Sequence, residues 1–276
     1  MAWEAIRRAT FEVTIDGTTT TVYWHDIDLH ALDLWFYDAD ALFTPVWEWT
    51  RAAYGAVNIA PSYGAATVGI LSECDTMDDM NALTDLCNSS IAAKVPGKLT
   101  LQVGNSTNSP NFLRCYMVPR AISDWQYKEG FMRQEFDIVP VDGFWWRDSG
   151  NWVIQPGAYG QITVDSHMGA DIDITFEATA GTNPSVTASS QSSSTSTFTN
   201  VYGFTAADVG EAYISTRDKV ATIDGANAYD KRMGGAMGSG SYIFEPLPLG
   251  VHRVTNNSTG VARARAYKRL AAPRWS

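Results

Sequence analysis

The densest run of ligand-type side chains is His25-Asp26-Ile27-Asp28-Leu29-His30. In an extended chain Asp26, Asp28 and His30 share one face, a donor set that could hold zinc or calcium. A plain solvated strand face has the same composition, and that is the reading adopted. Asp75, Asp78 and Asp79 could supply a pair of catalytic carboxylates. Glycoside hydrolysis needs an acid and a base facing each other across a cleft. Ahead of an apolar helical repeat, these three fit helix capping and the positive end of the helix dipole better. The loop Gly234-Gly235-Ala236-Met237-Gly238-Ser239-Gly240 resembles a phosphate cradle only in composition. It lacks the Lys-Ser/Thr ending and a following helix, so it reads as a flexible hairpin loop. No G-x-S-x-G, P-loop, G-x-G-x-x-G or H-E-x-x-H motif occurs. The expectation is therefore no catalytic residue, no cofactor and no resident metal.

Side chains suited to contact are more prominent than side chains suited to catalysis. In the last strand Val261, Arg263, Arg265, Tyr267 and Arg269 alternate with Ala262, Ala264 and Ala266. The alanine face suits close packing on a core. The arginine face suits bidentate contact with carboxylates, either within the chain or on an adjacent protein. The ten tryptophans include the adjacent pair Trp145 and Trp146. In a strand these two point opposite ways, so one could reach a neighbour. Trp145, Trp146, Arg263, Arg265 and Arg269 are the candidate interface residues.

The charge distribution bears on the same question. The chain has 276 residues and a formal net charge of −10. Residues 1–148 hold 20 acids and 10 bases, whereas residues 251–276 hold six bases and no acid. The overall sign argues against wrapping nucleic acid. A basic C-terminal strand on an acidic body could drive self-association, or could be a solvated edge protected by its charges.

The elements that must position these residues are mostly strands. Hydrophobic residues make up 45% of the chain and charged residues 18%, enough apolar material for about two packed domains. Phe11–Ile15 and Thr18–Trp24 flank an Asp16-Gly17 turn, and Asp38–Tyr63 reads as loop-rich with one or two short strands. Met77, Met80, Leu83, Leu86 or Cys87, and Ile91 recur at helical spacing, predicting a helix over 75–93 with Asp75 or Thr76 as N-cap. Pro96-Gly97 ends it. Strands follow over 98–103, 112–118 and 131–141, and the aromatic stretch up to Asp148 closes a first domain, 1–148. The second domain, 149–276, shows short strands over 160–164, 170–178, 211–215, 220–223, 242–244, 250–255 and 260–270, the spacing of a β-sandwich. Between Thr179 and Asn200 the Ser/Thr-rich composition predicts a long exposed loop. Cys74, Cys87 and Cys115 form no metal or redox pattern and read as buried thiols. With neither a secretory signal nor an apolar run long enough to cross a bilayer, the expectation is a chain made in a cytoplasm.

The ordered set of segments resembles the distal tail protein family of long-tailed phages. The resemblance rests on the strand pair 111–118 and 131–139, the aromatic hinge Phe144-Trp145-Trp146-Arg147-Asp148, Val220–Gly225, Tyr242–Val254 and the final strand 261–270. The family implies a mainly β fold, with a tail-tube-like N-terminal domain carrying one α-helix and a galectin-like C-terminal sandwich. It further implies a virion subunit assembled in the host cytoplasm into a ring, hexameric in the family, with a channel for DNA in transit. Tail tube, tape measure and tail tip or hub proteins would be its partners. An acidic lumen would let DNA slide without sticking. The alternatives are a carbohydrate-binding module for host surface glycans and, with no catalytic residues to support it, a cell-wall hydrolase.

Overall fold

The computed structural model describes residues 6–24, 34–44, 46–52, 55–62, 65–73, 77–104, 109–120, 131–177, 180–190, 198–233 and 242–273. The chain is mainly β with one long helix, and it divides into two compact units, Met1–Arg147 with Leu270–Ser276, and Asp148–Arg269. Residues 270 onward therefore belong with the first unit, not with the second as the sequence division at 148 had it. The reason is Leu270, which is buried in the first core. The division also falls inside a strand, Trp145–Ile154, so no loop marks it.

In the first unit β1 (Ile6–Ile15) and β2 (Thr18–Trp24) form a hairpin closed by Asp16 and Gly17, both at positive φ. Then come β3 (Leu34–Asp38), β4 (Val46–Ala52), β5 (Gly55–Ser62) and β6 (Ala66–Glu73). β4 and β5 pair with each other as a hairpin, more regular than the loop-rich reading of 38–63. After α1 (Met77–Ala93) follow β7 (Gly97–Val103), β8 (Asn111–Pro119), β9 (Phe131–Pro140) and β10 (Trp145–Ile154). The antiparallel order is β3-β6-β9-β8-β7-β1-β2. Alternation along β1 and β7 buries Ala9, Phe11, Leu99 and Leu101 on one face. The helix covers that face with Met80, Leu83, Leu86 and Cys87. Ile91, expected on the same stripe, is 39% exposed; Ser90 is buried in its place and donates from Oγ to Val95 O at 2.6 Å. Gly97 is required for packing, because a Cβ there would lie 2.2 Å from the buried Phe11 ring.

The second unit is a sandwich of two antiparallel sheets. One has the order β11 (Tyr159–Val164), β18 (Gly250–Asn256), β13 (Ser185–Ser190), β14 (Thr199–Gly203). The other runs β17 (Ala226–Asn227), β16 (Val220–Ile223), β15 (Ala212–Ser215), β12 (Ala170–Phe176), β19 (Ala262–Leu270). Ile162, Val186, Tyr202 and Val254 of the first sheet share one core with Ile172, Ile174, Phe176 and Ala264 of the second. The exposed loop expected over 179–200 contains β13, whose Val186 and Ala188 are buried. Paired on both sides, a strand this poor in large residues is held by its ladder and by two small inward side chains. The segment Tyr242–Phe244, expected as a strand, is an irregular turn.

Candidate interface residues and the charged sheet face

The outward face of β12 and β19 is built by register. Ile172, Ile174 and Phe176 pair with Ala266, Ala264 and Ala262 on the core side, which leaves Asp171, Asp173 and Thr175 opposite Tyr267, Arg265 and Arg263 on the other. The alternation read from the sequence is the one observed. Each arginine of the row is engaged within the chain. Arg263 pairs with Glu177, and Arg265 donates from Nε to Asp148 Oδ2 at 2.9 Å. Arg269 makes a bidentate pair with the fully buried Asp171, both bonds at 2.7 Å, and Lys268 meets Asp165 at 2.6 Å. The basic strand is therefore largely neutralised by carboxylates of its own unit, which weakens it as a self-association signal.

A second layer of the face is nearly enclosed. Asp173 accepts from Ser215 Oγ at 2.7 Å and lies 3.4 Å from Arg217, which also binds Asp218. Burial raises the Asp173 pKa, while the Arg217 charge and the Ser215 hydroxyl oppose the rise. Tyr267 lies between two guanidiniums, Arg217 at 4.4 Å and Arg265 at 5.2 Å from its ring centre. Tyr213, on the neighbouring β15, has its phenol pushed up to about 12, first by burial and then by the Asp173 charge. The face is a charged plate on which the side chains of Arg263 and Arg265 remain about half-exposed.

The aromatic hinge is enclosed as well. Trp145 is 0% exposed and belongs to the first core, whereas Trp146 projects from the opposite side of the strand. Trp146 stacks on Phe112 at 5.6 Å, takes the edge of Phe144 at 4.9 Å and carries Arg114 over its ring at 5.7 Å. Arg114 is fixed by a bidentate pair with Asp142 at 2.7 Å. The two indoles do point opposite ways, but at 0% and 1% exposure neither presents a ring to a neighbour. Both sides of this strand are covered, a feature the sequence pattern alone could not reveal.

Sequence reasoning also missed the polar pins of the sandwich core. Asn200 Nδ2 donates to Tyr242 O at 2.8 Å, Tyr202 Oη to Glu245 O at 2.7 Å, and His252 Nε2 to Pro248 O at 2.7 Å. Leu247 exchanges two backbone bonds of 2.8 Å with Ala170. These bonds hold the irregular 242–248 segment inside the sandwich. Burial lowers the His252 pKa, the Pro248 bond opposes the shift, and Nδ1 has no hydrogen-bond partner among the described residues. The only hint in the sequence was inward-facing polar residues on otherwise alternating strands.

The run His25–His30, Asp75 and the Gly-rich loop lie outside the described residues; Asp78 and Asp79 occupy the first turn of α1. Among the described residues no group of three His, Cys, Asp or Glu is placed to hold a metal ion.

No family model matches the chain, and no curated protein matches it. Solved structures do. The fold is similar to that of a chain in the structure of the phage P2 baseplate in its activated conformation with calcium, with a TM-score of 0.60 and 10% identity over 97% of this chain and 100% of that one. The strontium form of the same baseplate gives the same values. The SPP1 Dit protein, described as a paradigm of hub adsorption apparatus in phages infecting Gram-positive bacteria, gives a TM-score of 0.48 at 11% identity over 94% and 99%. At such identities the likeness to the P2 chain is one of fold.

Proposed function

We propose that this chain is a non-catalytic structural subunit of a phage tail tip. It would form a ring, six-membered as in the distal tail family, that joins the tail tube to the tip and leaves an axial path for DNA. The observation that carries this reading is the end-to-end fold likeness, 97% of this chain against 100% of a P2 baseplate chain. Both units are thus accounted for together, in the order in which the sequence segments resemble the family.

The first unit supports self-assembly independently. Among the described residues β2 is the last strand of its sheet, with Thr18, Thr19 and Thr20 exposed and Tyr23 60% exposed. Its seven residues carry no charge and no proline, and its pairing with β1 runs without a bulge. Natural edge strands usually carry at least one such device against edge-to-edge pairing, so an edge without them suits a strand that is paired in the assembly. The test is native mass and negative-stain imaging of the purified chain at micromolar concentration, alone and with a tail tube protein. A ring with a central hole is expected, and Thr19→Lys with Tyr23→Lys should disperse it into folded monomers. Monomers under both conditions, or a ring indifferent to the two lysines, would remove respectively the ring and the β2 edge from the proposal.

A further inference from the structure

The sheet β11-β18-β13-β14 treats its two edges differently. Beyond β14 the chain itself closes the ladder: Met233 N donates to Gly203 O at 2.8 Å, and Thr205 N to Lys231 O at 2.7 Å. Beyond β11 no such closure occurs among the described residues. The backbone shows which groups are left over. Asn256 N donates to Ala158 O at 3.0 Å, so Ala158 is a hydrogen-bonded position opposite β18. Bonded positions alternate along an antiparallel ladder, and the register runs without a shift from Tyr159↔Thr255 to Val164↔Gly250. Gly160, Ile162 and Val164 therefore bond β18, while the N–H and C=O groups of Tyr159, Gln161 and Thr163 point away from it.

This edge lacks the usual protection against pairing. The strand Tyr-Gly-Gln-Ile-Thr-Val holds no charge and no proline, and no bulge twists it away. Ile162 and Val164 are buried, whereas Tyr159, Gln161 and Thr163 are exposed on the outer face. Arg253 of β18, opposite Gln161, is exposed on the same face and leans onto β11, 3.9 Å over the Tyr159 ring. Arg217, Arg263, Arg265 and Arg269 each pair with a carboxylate of the unit. Among the described residues no carboxylate pairs with Arg253. Stacking on a ring occupies the flat face of a guanidinium and leaves its N–H edge open to a carboxylate.

We propose that β11 receives an extended, carboxylate-bearing segment of a partner protein as one more strand of this sheet. The backbone of that segment would bond Tyr159, Gln161 and Thr163, with small or apolar side chains on the side of Ile162 and Val164 and an Asp or Glu on the outer side against Arg253. A second copy of the chain pairing through its own β11 would bring no carboxylate to Arg253, since that strand has none. The edge lies in the second unit and β2 in the first, so this docking and the ring can fail separately.

The test is backbone NMR of the full chain with short capped peptides that alternate valine with threonine and carry glutamate, glutamine or lysine on the threonine side. In the free chain the amides of Tyr159, Gln161 and Thr163 should exchange with solvent fast, and those of Gly160, Ile162 and Val164 slowly. The glutamate peptide should slow the first three, with a dissociation constant on the order of millimolar. Gln161→Pro removes an N–H at an edge position where proline is tolerated, and should weaken every peptide roughly tenfold. Arg253→Gln leaves the backbone untouched and should weaken the glutamate peptide alone, roughly threefold, the worth of one exposed ion pair. Slow exchange of the three amides in the free chain, no binding of the glutamate peptide, or binding indifferent to Gln161→Pro would overturn the assignment. So would a loss on Arg253→Gln that the glutamine peptide shares. A dimer of the free chain that Gln161→Pro dissolves would overturn it too, because the occupant would then be a second copy.

Discussion

In the first unit Phe11, Leu113, Phe136 and Trp145 are packed with only Ser90, Asn111 and Gln134 as buried polar residues among those described. The second unit encloses Asp171, Asp173, Asn200, Ser215, Thr216, His252, Asn256 and Ser258, among others. The contrast follows from architecture. A sheet covered by one helix closes its core with side-chain volume alone. A sandwich whose core also houses an irregular segment must satisfy backbone carbonyls that no strand can reach, and it does so with Asn200, Tyr202 and His252. Asn256 does similar work at the sheet end, donating to Ile154 O and Gly260 O and accepting from Ser258. One unit is specified by shape, the other by hydrogen-bond satisfaction.

If this contrast is right, the two units should fail differently. The largest effect is expected from Asp171→Ala, which leaves Arg269 without its bidentate partner and Thr216 Oγ1 without its acceptor. Removing one member of a buried pair costs about 3–5 kcal/mol. Denaturant unfolding should show the second unit shifted by that amount. The first unit, followed by thiol labelling in a Cys74→Ser background, should stay in place. Those thiols are suitable reporters because burial pushes Cys87 up to about 12 and raises Cys115 further, so labelling requires unfolding. Replacing both members, Asp171→Leu with Arg269→Met, should recover most of the loss; failure to recover would mean that the pair does more than satisfy itself.

Gly97→Ala should act on the first unit in the opposite selectivity. The added methyl meets a Phe11 ring that is fully buried, and overpacking of this kind costs about 1–3 kcal/mol. Earlier thiol labelling with an unshifted second unit is the expected result, and a neutral substitution would show that this core yields more than its shape suggests.

Acid should again separate the units. The folded pKa of His252 lies below its ordinary value of 6.5, so the unfolded chain takes up the proton first. Stability from this group is complete above pH 6.5 and is lost as pH falls below it. The second unit should weaken on going from pH 7 to pH 5, and His252→Gln should flatten that dependence. A loss equal in both units would point to another titrating group. The smallest effect is expected from Arg263→Ala, because its half-exposed pair with Glu177 is worth less than about 0.5 kcal/mol in solution. A large loss there would mean that the charged plate acts as one network.

Much of this was legible from local pattern. The helix from Met77 to Ala93, the hairpin turn at Asp16-Gly17 and the alternation of Arg263, Arg265 and Tyr267 with three alanines all follow from periods that a single segment carries in itself. β13 was missed because its inward residues are only Val186 and Ala188, too small to stand out from a Ser/Thr-rich stretch. Tyr242–Phe244 was misread because its apolar residues are buried by pins from β14, not by a ladder.

Composition and alternation thus determined by themselves that the chain is mainly β, where most strands run and which side chains share a face. Only the tertiary structure decided what covers each face. Asp148 lies 117 residues from Arg265 and Asp171 98 residues from Arg269, and no local period links such positions. The same holds for the tryptophan pair, for which strand geometry sets the two directions while the sheet and side chains packed around it decide that neither ring is free. Periodicity is a property of neighbours along the chain, whereas burial and charge pairing are properties of neighbours in space.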